Sequence, residues 1–66
     1  MDNYYVNNNE QPNGDHEVHR EGCTYMPSNR TPLGRFSNCQ DAVREAMRHY
    51  RQVNGCYFCS NACHTQ

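Results

Sequence analysis

The feature that most limits how this chain can fold is its shortage of aliphatic side chains. Its 66 residues include one leucine, four valines and no isoleucine. Ordering such a chain costs roughly 100 kcal/mol, at about 1.5 kcal/mol per residue, and so few aliphatic groups cannot offset that cost. A disordered chain would be highly charged and poor in aromatics, whereas this one has five tyrosines and a net charge of −1. We therefore expect one small folded domain, residues 1–66, held together by a cross-link.

The cysteines indicate the nature of that cross-link. The first 15 residues lack the basic and apolar segments of a signal peptide, and no window holds the ~20 apolar residues of a membrane span. We therefore expect a cytoplasmic protein, in which clustered cysteines more often bind metal than form disulfides. The odd count of five cysteines also argues against a framework made only of disulfides. A structural Zn²⁺ is the favoured cross-link.

The first half of the chain is typical of β-structure. Short runs of tyrosine, valine and histidine flank a loop that contains the turn-forming pair Asn13-Gly14. This pattern predicts a β-hairpin in which Tyr4–Asn7 pairs with Asp15–His19. The following segment is rich in proline and glycine and has room for a third short strand at Pro32–Phe36.

The pattern then changes to the helical period. Ser37 and Gln40 have the spacing of a capping box, and Asn54-Gly55 resembles a helix stop. Between them, apolar residues recur at three- and four-residue steps. These are Cys39, Val43, Ala46, Tyr50 and Val53. The sequence therefore predicts a small α+β domain, in which the hairpin packs on one amphipathic helix. A zinc knuckle, residues 56–59, follows the helix directly.

Two pairs of residues have the spacing of zinc ligands. His19 and Cys23 form an H-x3-C pair that leaves the second strand, and Cys56 and Cys59 form a C-x2-C pair. Zinc takes four ligands in a tetrahedron from thiolate sulfur and imidazole nitrogen. One ion bound by both pairs would join the hairpin to the far end of the helix. We predict His19, Cys23, Cys56 and Cys59 as the ligands of one structural Zn²⁺.

The remaining cysteines and histidines leave alternatives open. Cys39 is expected to be buried as a small apolar side chain, although a helix N-terminus can also make a thiol reactive. Cys63 and His64 are expected to have no metal role, but they could form a second site with His16 or displace His19. Cys39 and Cys63 could also form a disulfide under oxidation.

The arginines suggest a surface for partners. Arg44, Arg48 and Arg51 would share one face of the predicted helix, and arginine is well suited to phosphate and carboxylate contacts. Seven acidic residues against six arginines argue against a dedicated nucleic-acid binder, which is usually basic. We expect a solvated helix face. The alternative is a contact to a protein, or a weak contact to nucleic acid, through these arginines and the exposed tyrosines.

The order of these motifs resembles a known zinc-binding family. From Val18 to Cys59 the chain is similar to the N-terminal metal-binding module of the Ada DNA-repair protein, and more similar to the stand-alone relatives of that module. The matching positions are His19, Cys23, Asn29, Phe36, Ser37, Ala42, Gly55, Cys56 and Cys59. The chain also resembles a family of small bacterial proteins in its stretches YYVN, NGDHEVH, NGCYFC and CHT. This second resemblance implies no particular activity.

The resemblance to the Ada module implies a zinc site and a related fold, but it does not imply the activity of Ada. In Ada the first residue of the early pair is a cysteine that accepts a methyl group from DNA. The matching residue here is His19, and an imidazole ligand cannot take that role. We expect a non-enzymatic recognition module without methyl-acceptor activity. The alternative is a thiol-based redox or metal-handling sensor that uses the zinc thiolates with Cys39 and Cys63.

Overall fold

The fold is α+β, as the sequence predicts, and its sheet has a fourth strand beyond the hairpin and third strand that were expected. The computed structural model describes residues 1–65. The strands are β1 (Asp2–Asn7), β2 (His16–Arg20), β3 (Arg30–Phe36) and β4 (Val53–Gly55), and the helix is α1 (Cys39–Ala46). The order across the sheet is β3-β1-β2-β4. Among the described residues, no helix is long and apolar enough to cross a membrane.

The predicted hairpin and third strand are both present. β1 and β2 are antiparallel, with Tyr5 opposite His19, and β3 pairs antiparallel with the other edge of β1. The turn between β1 and β2 includes Gly14 at a φ of +96°, a left-handed conformation that favours glycine. Local turn chemistry therefore determines this half of the fold.

The predicted extent of the helix is wrong. α1 ends at Ala46, and Met47 is its C-cap, whereas the apolar period continues as far as Val53. The later members of that period have other partners, because Tyr50 stacks on His16 with ring centroids 3.7 Å apart. Val53 begins β4, which pairs parallel to β2. Pairing with the free edge of β2 outweighs the local helical preference of residues 47–55.

The predicted N-cap of the helix is displaced by one residue. The cap is Asn38, whose side-chain Oδ1 accepts a hydrogen bond from the Asp41 backbone N–H at 2.8 Å. Asp41 also places a negative charge in the first turn, where the helix dipole favours it. The capping box of Ser37 with Gln40 does not form.

This cap provides a test of the helix boundary. Asn38→Ala should lower the free energy of unfolding by about 1 kcal/mol, because an amide N–H at the start of the helix loses its acceptor. Ser37→Ala is the matched control and should change stability by less than about 0.5 kcal/mol, because Ser37 is exposed. Urea denaturation of the two variants distinguishes them, and equal effects would contradict the assigned cap.

The hydrophobic core lies between the sheet and α1. It consists of Tyr4, Val6, Val18, Leu33, Cys39, Ala42 and Ala46. Since successive strand residues point to opposite faces, the neighbours of Val18, namely Glu17 and His19, lie on the face of the sheet away from the helix. The two faces of β2 thus have different roles, one in the core and the other in a polar cluster.

A disulfide joins the helix to the end of the chain. Cys39, the first residue of α1, is bonded to Cys63 in a short 3₁₀ helix (Asn61–Cys63), with their Cα atoms 6.2 Å apart. Cys39 is buried, as expected, but the expectation that it acts only as an apolar side chain is wrong. The disulfide between Cys39 and Cys63, which the sequence allowed under oxidation, is formed. The three free cysteines are Cys23, Cys56 and Cys59.

Candidate metal centre

The structure brings the four predicted ligand residues together. His19 lies on β2, and Cys23 follows that strand after a turn in which Gly22 has a φ of +86°. Cys56 comes directly after β4, and Cys59 lies in the turn that follows. One atom from each of the four residues lies within 4.8 Å of all the others. The early pair and the late pair, distant in sequence, thus form one cluster.

The strand β4, and not the helix, positions the late pair. β4 runs parallel to β2 with Gly55 opposite Val18, and the Cys56 N–H donates to the Val18 carbonyl at 2.9 Å. This register places Cys56 beside His19. The prediction that the helix delivers Cys56 and Cys59 is wrong, although the predicted pair itself is the one at the site.

The distances between the ligand atoms suit a small tetrahedral ion. The Sγ atoms of Cys23 and Cys56 are 3.9 Å apart, and the Sγ of Cys59 is 3.8 Å from Nδ1 of His19. A zinc ion with Zn–S bonds of about 2.3 Å has sulfur atoms separated by about 3.8 Å along the edges of its tetrahedron. These four residues could hold a metal ion with little rearrangement.

Backbone donors surround the sulfur atoms. The Arg20 N–H donates to Cys59 Sγ at 3.2 Å, and the backbone N–H groups of Phe58 and Cys59 act to lower the pKa of the Cys56 thiol. Burial nevertheless raises the pKa of both the Cys56 and the Cys59 thiol, against the lowering effect of these donors. A bound cation would supply the compensation that buried thiolates need.

The orientation of His19 suits a metal ligand. Its side chain is only 1% exposed, and burial lowers its pKa, so the imidazole is neutral at pH 7. Nδ1 faces the sulfur atoms, while Nε2 lies 3.4 Å from the Glu17 carboxylate. A metal-binding histidine typically donates its second ring N–H to such a carboxylate, which fixes the tautomer and the ring orientation. Glu17 was not identified from the sequence, although its alternation with His19 on one strand places both on the same face.

The alternative ligands lie elsewhere. His16 stacks on Tyr50, and its Nδ1 is 2.9 Å from the Asn7 carbonyl oxygen. His64 has its Nδ1 3.0 Å from the Gly55 carbonyl oxygen, and Cys63 is in the disulfide. Among the residues described, none of the three belongs to the cluster, so the second site with His16 is not formed.

Gly55 has a role that the sequence did not reveal. The sequence predicts a helix stop at Gly55. In the structure Gly55 ends β4, and residues 60–63 pack directly against it. A Cβ at this position would lie 2.7 Å from Cys63 Cβ and 2.7 Å from the Ser60 carbonyl oxygen. No side chain therefore fits at this position.

This close approach predicts a large effect of a single methyl group. Gly55→Ala should destabilise the chain by about 1–3 kcal/mol, because the backbone around Ser60 and Cys63 must move. Gly22→Ala is a useful comparison, since nothing lies within 4 Å of its added Cβ and only its positive φ is strained. We expect Gly55→Ala to lower the melting temperature more, and the reverse order would contradict the observed packing.

The three arginines do not form one helical face. Arg44 is paired with Asp41 at 3.0 Å and Arg48 with Glu45 at 3.4 Å, both on exposed positions. Arg51 lies beyond the end of α1 and is exposed. The predicted alignment at i, i+4 and i+7 is therefore wrong, because the helix ends before Arg48.

Aromatic side chains surround the knuckle on its outer side. Tyr57 and Phe58, between the two late cysteines, are 57% and 65% exposed, and Tyr25 is 57% exposed. Tyr25 stacks on Phe58 with centroids 4.4 Å apart, and Tyr57 meets Phe58 at 89°. No motif in the sequence groups these three rings together.

Comparison with family models, with curated proteins and with solved structures found no match to this chain.

Proposed function

We propose that this chain is a small recognition module built around one structural Zn²⁺ held by His19, Cys23, Cys56 and Cys59. The observation that supports it is the convergence of four ligand atoms within 4.8 Å of one another. Three thiols and one imidazole are a ligand set typical of structural zinc. Such a site has no open position for water or substrate, which supports a role in recognition and not in catalysis.

The resemblance to the Ada module supports the proposed zinc site. It does not extend to the methyl transfer that Ada carries out. His19 stands where the methyl-accepting cysteine would be, and its Nδ1 points at the sulfur cluster. We therefore propose a stand-alone module that uses the zinc for folding, without methyl transfer.

Metal analysis of the purified chain tests the proposal. Native mass spectrometry should find one zinc per chain, and a strong chelator should remove it with loss of the folded circular dichroism spectrum. A chain that remains folded and metal-free after chelation would contradict the structural role of zinc.

The affinity for zinc should rise steeply with pH. Burial raises the pKa of Cys56 and Cys59, so both hold protons at neutral pH without metal, and zinc must displace these protons to bind. Neutral His19 contributes no proton above its lowered pKa. We expect the association constant to increase at least about a hundredfold per pH unit while both thiols are protonated in the metal-free chain. Competition with a chromophoric chelator at several pH values measures this slope, and a flat profile would exclude thiolate ligation.

A second candidate function is a thiol-based sensor. It is favoured by the presence of a Cys39–Cys63 disulfide in the same small domain as three free cysteines. A sensor should release zinc in mild peroxide and recover it on reduction, whereas a recognition module should retain it. The zinc content before and after such treatment decides between them.

Contact with nucleic acid through the arginines is expected to be weak. Arg44 and Arg48 are already paired with carboxylates, and the net charge is −1. Fluorescence anisotropy with a labelled oligonucleotide at two salt concentrations should show no tight complex. A submicromolar complex that weakens with salt would show that these arginines bind phosphates.

A further inference from the structure

We propose that the aromatic side chains around the knuckle form a binding site for a methylated ammonium group. Tyr25, Tyr57 and Phe58 line a cavity of about 230 Å³ together with Glu17. The inference deepens the proposed recognition function, because it names the ligand class that the module would bind, and it rests on that proposal for the folding of the knuckle and for the charge of the zinc cluster.

The ring geometry suits a cation. Tyr57 and Phe58 meet at 89° with centroids 5.2 Å apart, so their planes form a corner, and Tyr25 stacks on Phe58 at a centroid distance of 4.4 Å and supports that side of the corner. A cation within about 6 Å of a ring centroid is attracted by the electrons of the ring face. The three rings are more than half exposed, so they are accessible from solvent. A cavity of this size is below the usual range for drug-sized ligands and suits a head group.

The charge around the cavity favours the same ligand. Glu17 lines it, and His19 and Cys56 of the metal centre form part of its wall. Three thiolates with one Zn²⁺ give that centre a net charge of −1, in addition to the Glu17 carboxylate. Among the described residues that line the cavity, none is an arginine. An anionic wall of this kind attracts cations and repels phosphate groups, which argues against a nucleic-acid ligand.

The hydrogen bonding favours a methylated ammonium over a primary one. The Glu17 carboxylate already contacts His19 Nε2 at 3.4 Å. An unmodified lysine would bring three N–H donors and a strongly bound water shell against ring faces that cannot replace its hydrogen bonds to water. A trimethylated ammonium has no N–H donor and presents methyl groups to the rings.

Calorimetric titration of the purified full chain tests this inference. The probes are tetramethylammonium chloride, a neutral peptide with one trimethyllysine, and the same peptide with unmodified lysine. We expect a Kd of about 1 mM or tighter for the tetramethylammonium ion and at least tenfold weaker binding of the unmodified peptide than of the trimethylated one. If the trimethylated peptide binds at least tenfold tighter than the free ion, the source is a protein side chain. If the trimethylated peptide and the tetramethylammonium ion bind equally tightly, the natural ligand is a small free cation.

Substitutions on the rings provide the specificity control. Tyr57→Leu and Phe58→Leu keep an apolar side chain but remove the aromatic face, and each should weaken binding about five- to thirtyfold. Met47→Ala is the matched control, because Met47 is also exposed (58%) but does not line the cavity. Its affinity should be unchanged. Unchanged affinity in both leucine variants, or equal binding of the two peptides, would overturn the proposal, as would tight binding of a single-stranded oligonucleotide to the same rings.

The zinc content of the titrated sample separates this inference from the proposed function. A sample that contains one zinc and does not bind tetramethylammonium refutes the cation site alone. A metal-free sample that binds it refutes the zinc proposal and supports the cation site. If the sample has no zinc, has a folded circular dichroism spectrum and binds no probe, both proposals are wrong.

Discussion

Cys56→Ser should unfold the chain at room temperature. Cys56 is 2% exposed and lies at the centre of the cluster, with its Sγ 3.9 Å from that of Cys23. Loss of this thiolate should remove most of the binding energy of the proposed zinc, and that energy is about 10–16 kcal/mol in small zinc domains. Domains have only about 5–15 kcal/mol of stability in total. The one-dimensional proton NMR spectrum should lose its dispersed amide signals.

Two controls distinguish loss of the metal from general damage to the knuckle. Tyr57→Ser changes an exposed neighbour of Cys56 and should leave the dispersed spectrum intact. His19→Cys should also retain zinc, since a thiolate can replace an imidazole in a tetrahedral site. A Cys56→Ser chain that melts cooperatively at the wild-type temperature would show that zinc does not hold the fold.

Removal of the disulfide should produce the second-largest effect. The double variant Cys39→Ala/Cys63→Ala opens a loop between residues 24 positions apart. The loop-closure entropy of such a loop is worth about 3–4 kcal/mol, so the melting temperature should fall by about 12–30 °C for a domain of this size. Thermal unfolding followed by circular dichroism measures the shift.

The reduced wild-type chain is the internal control for this prediction. In a reductant that does not bind zinc, its melting temperature should fall to nearly that of the double variant, while its zinc content stays at one per chain. A wild-type chain whose melting temperature is insensitive to reduction, and equal to that of the double variant, would show that the disulfide contributes nothing to stability.

The parts of the fold that depend on neighbouring residues were predictable. The hairpin depends on the turn at Asn13-Gly14, and the ligand pairs depend on spacings of two and three intervening residues. Each is a local pattern with a local physical cause. For this reason His19, Cys23, Cys56 and Cys59 could be chosen from the sequence, and the structure places them together.

The parts that depend on distant partners were not predictable. Tyr50 and Val53 continue the helical period. In the structure, however, Tyr50 stacks on His16, and Val53 in β4 pairs with His16 in β2. The Cys39–Cys63 disulfide likewise depends on how the segment after the knuckle returns to the start of α1. All of these contacts depend on the position of β4 in the sheet. A parallel strand of three residues has no distinctive sequence pattern.

The cavity beside the knuckle was missed for a related reason. Tyr57 and Phe58 lie within the C-x2-C pair, where they were treated as spacers between ligands. Tyr25 reaches Phe58 where the cluster of His19, Cys23, Cys56 and Cys59 brings the two loops together. Tyr25 and Phe58 are far apart in the sequence, so their contact cannot be predicted from a local pattern.

The parallel pairing of β2 with β4 has a consequence for the synthesis of the protein. Residues 53–63 supply β4, two of the four ligand residues and one half of the disulfide. A ribosome-bound segment that ends before them has no cross-link to close. At about 5–20 residues per second, the 33 positions from Cys23 to Cys56 take about 2–7 s to translate. During that interval Cys23 has no partner from the late pair, and Cys39, which is translated partway through it, has no disulfide partner until Cys63 follows.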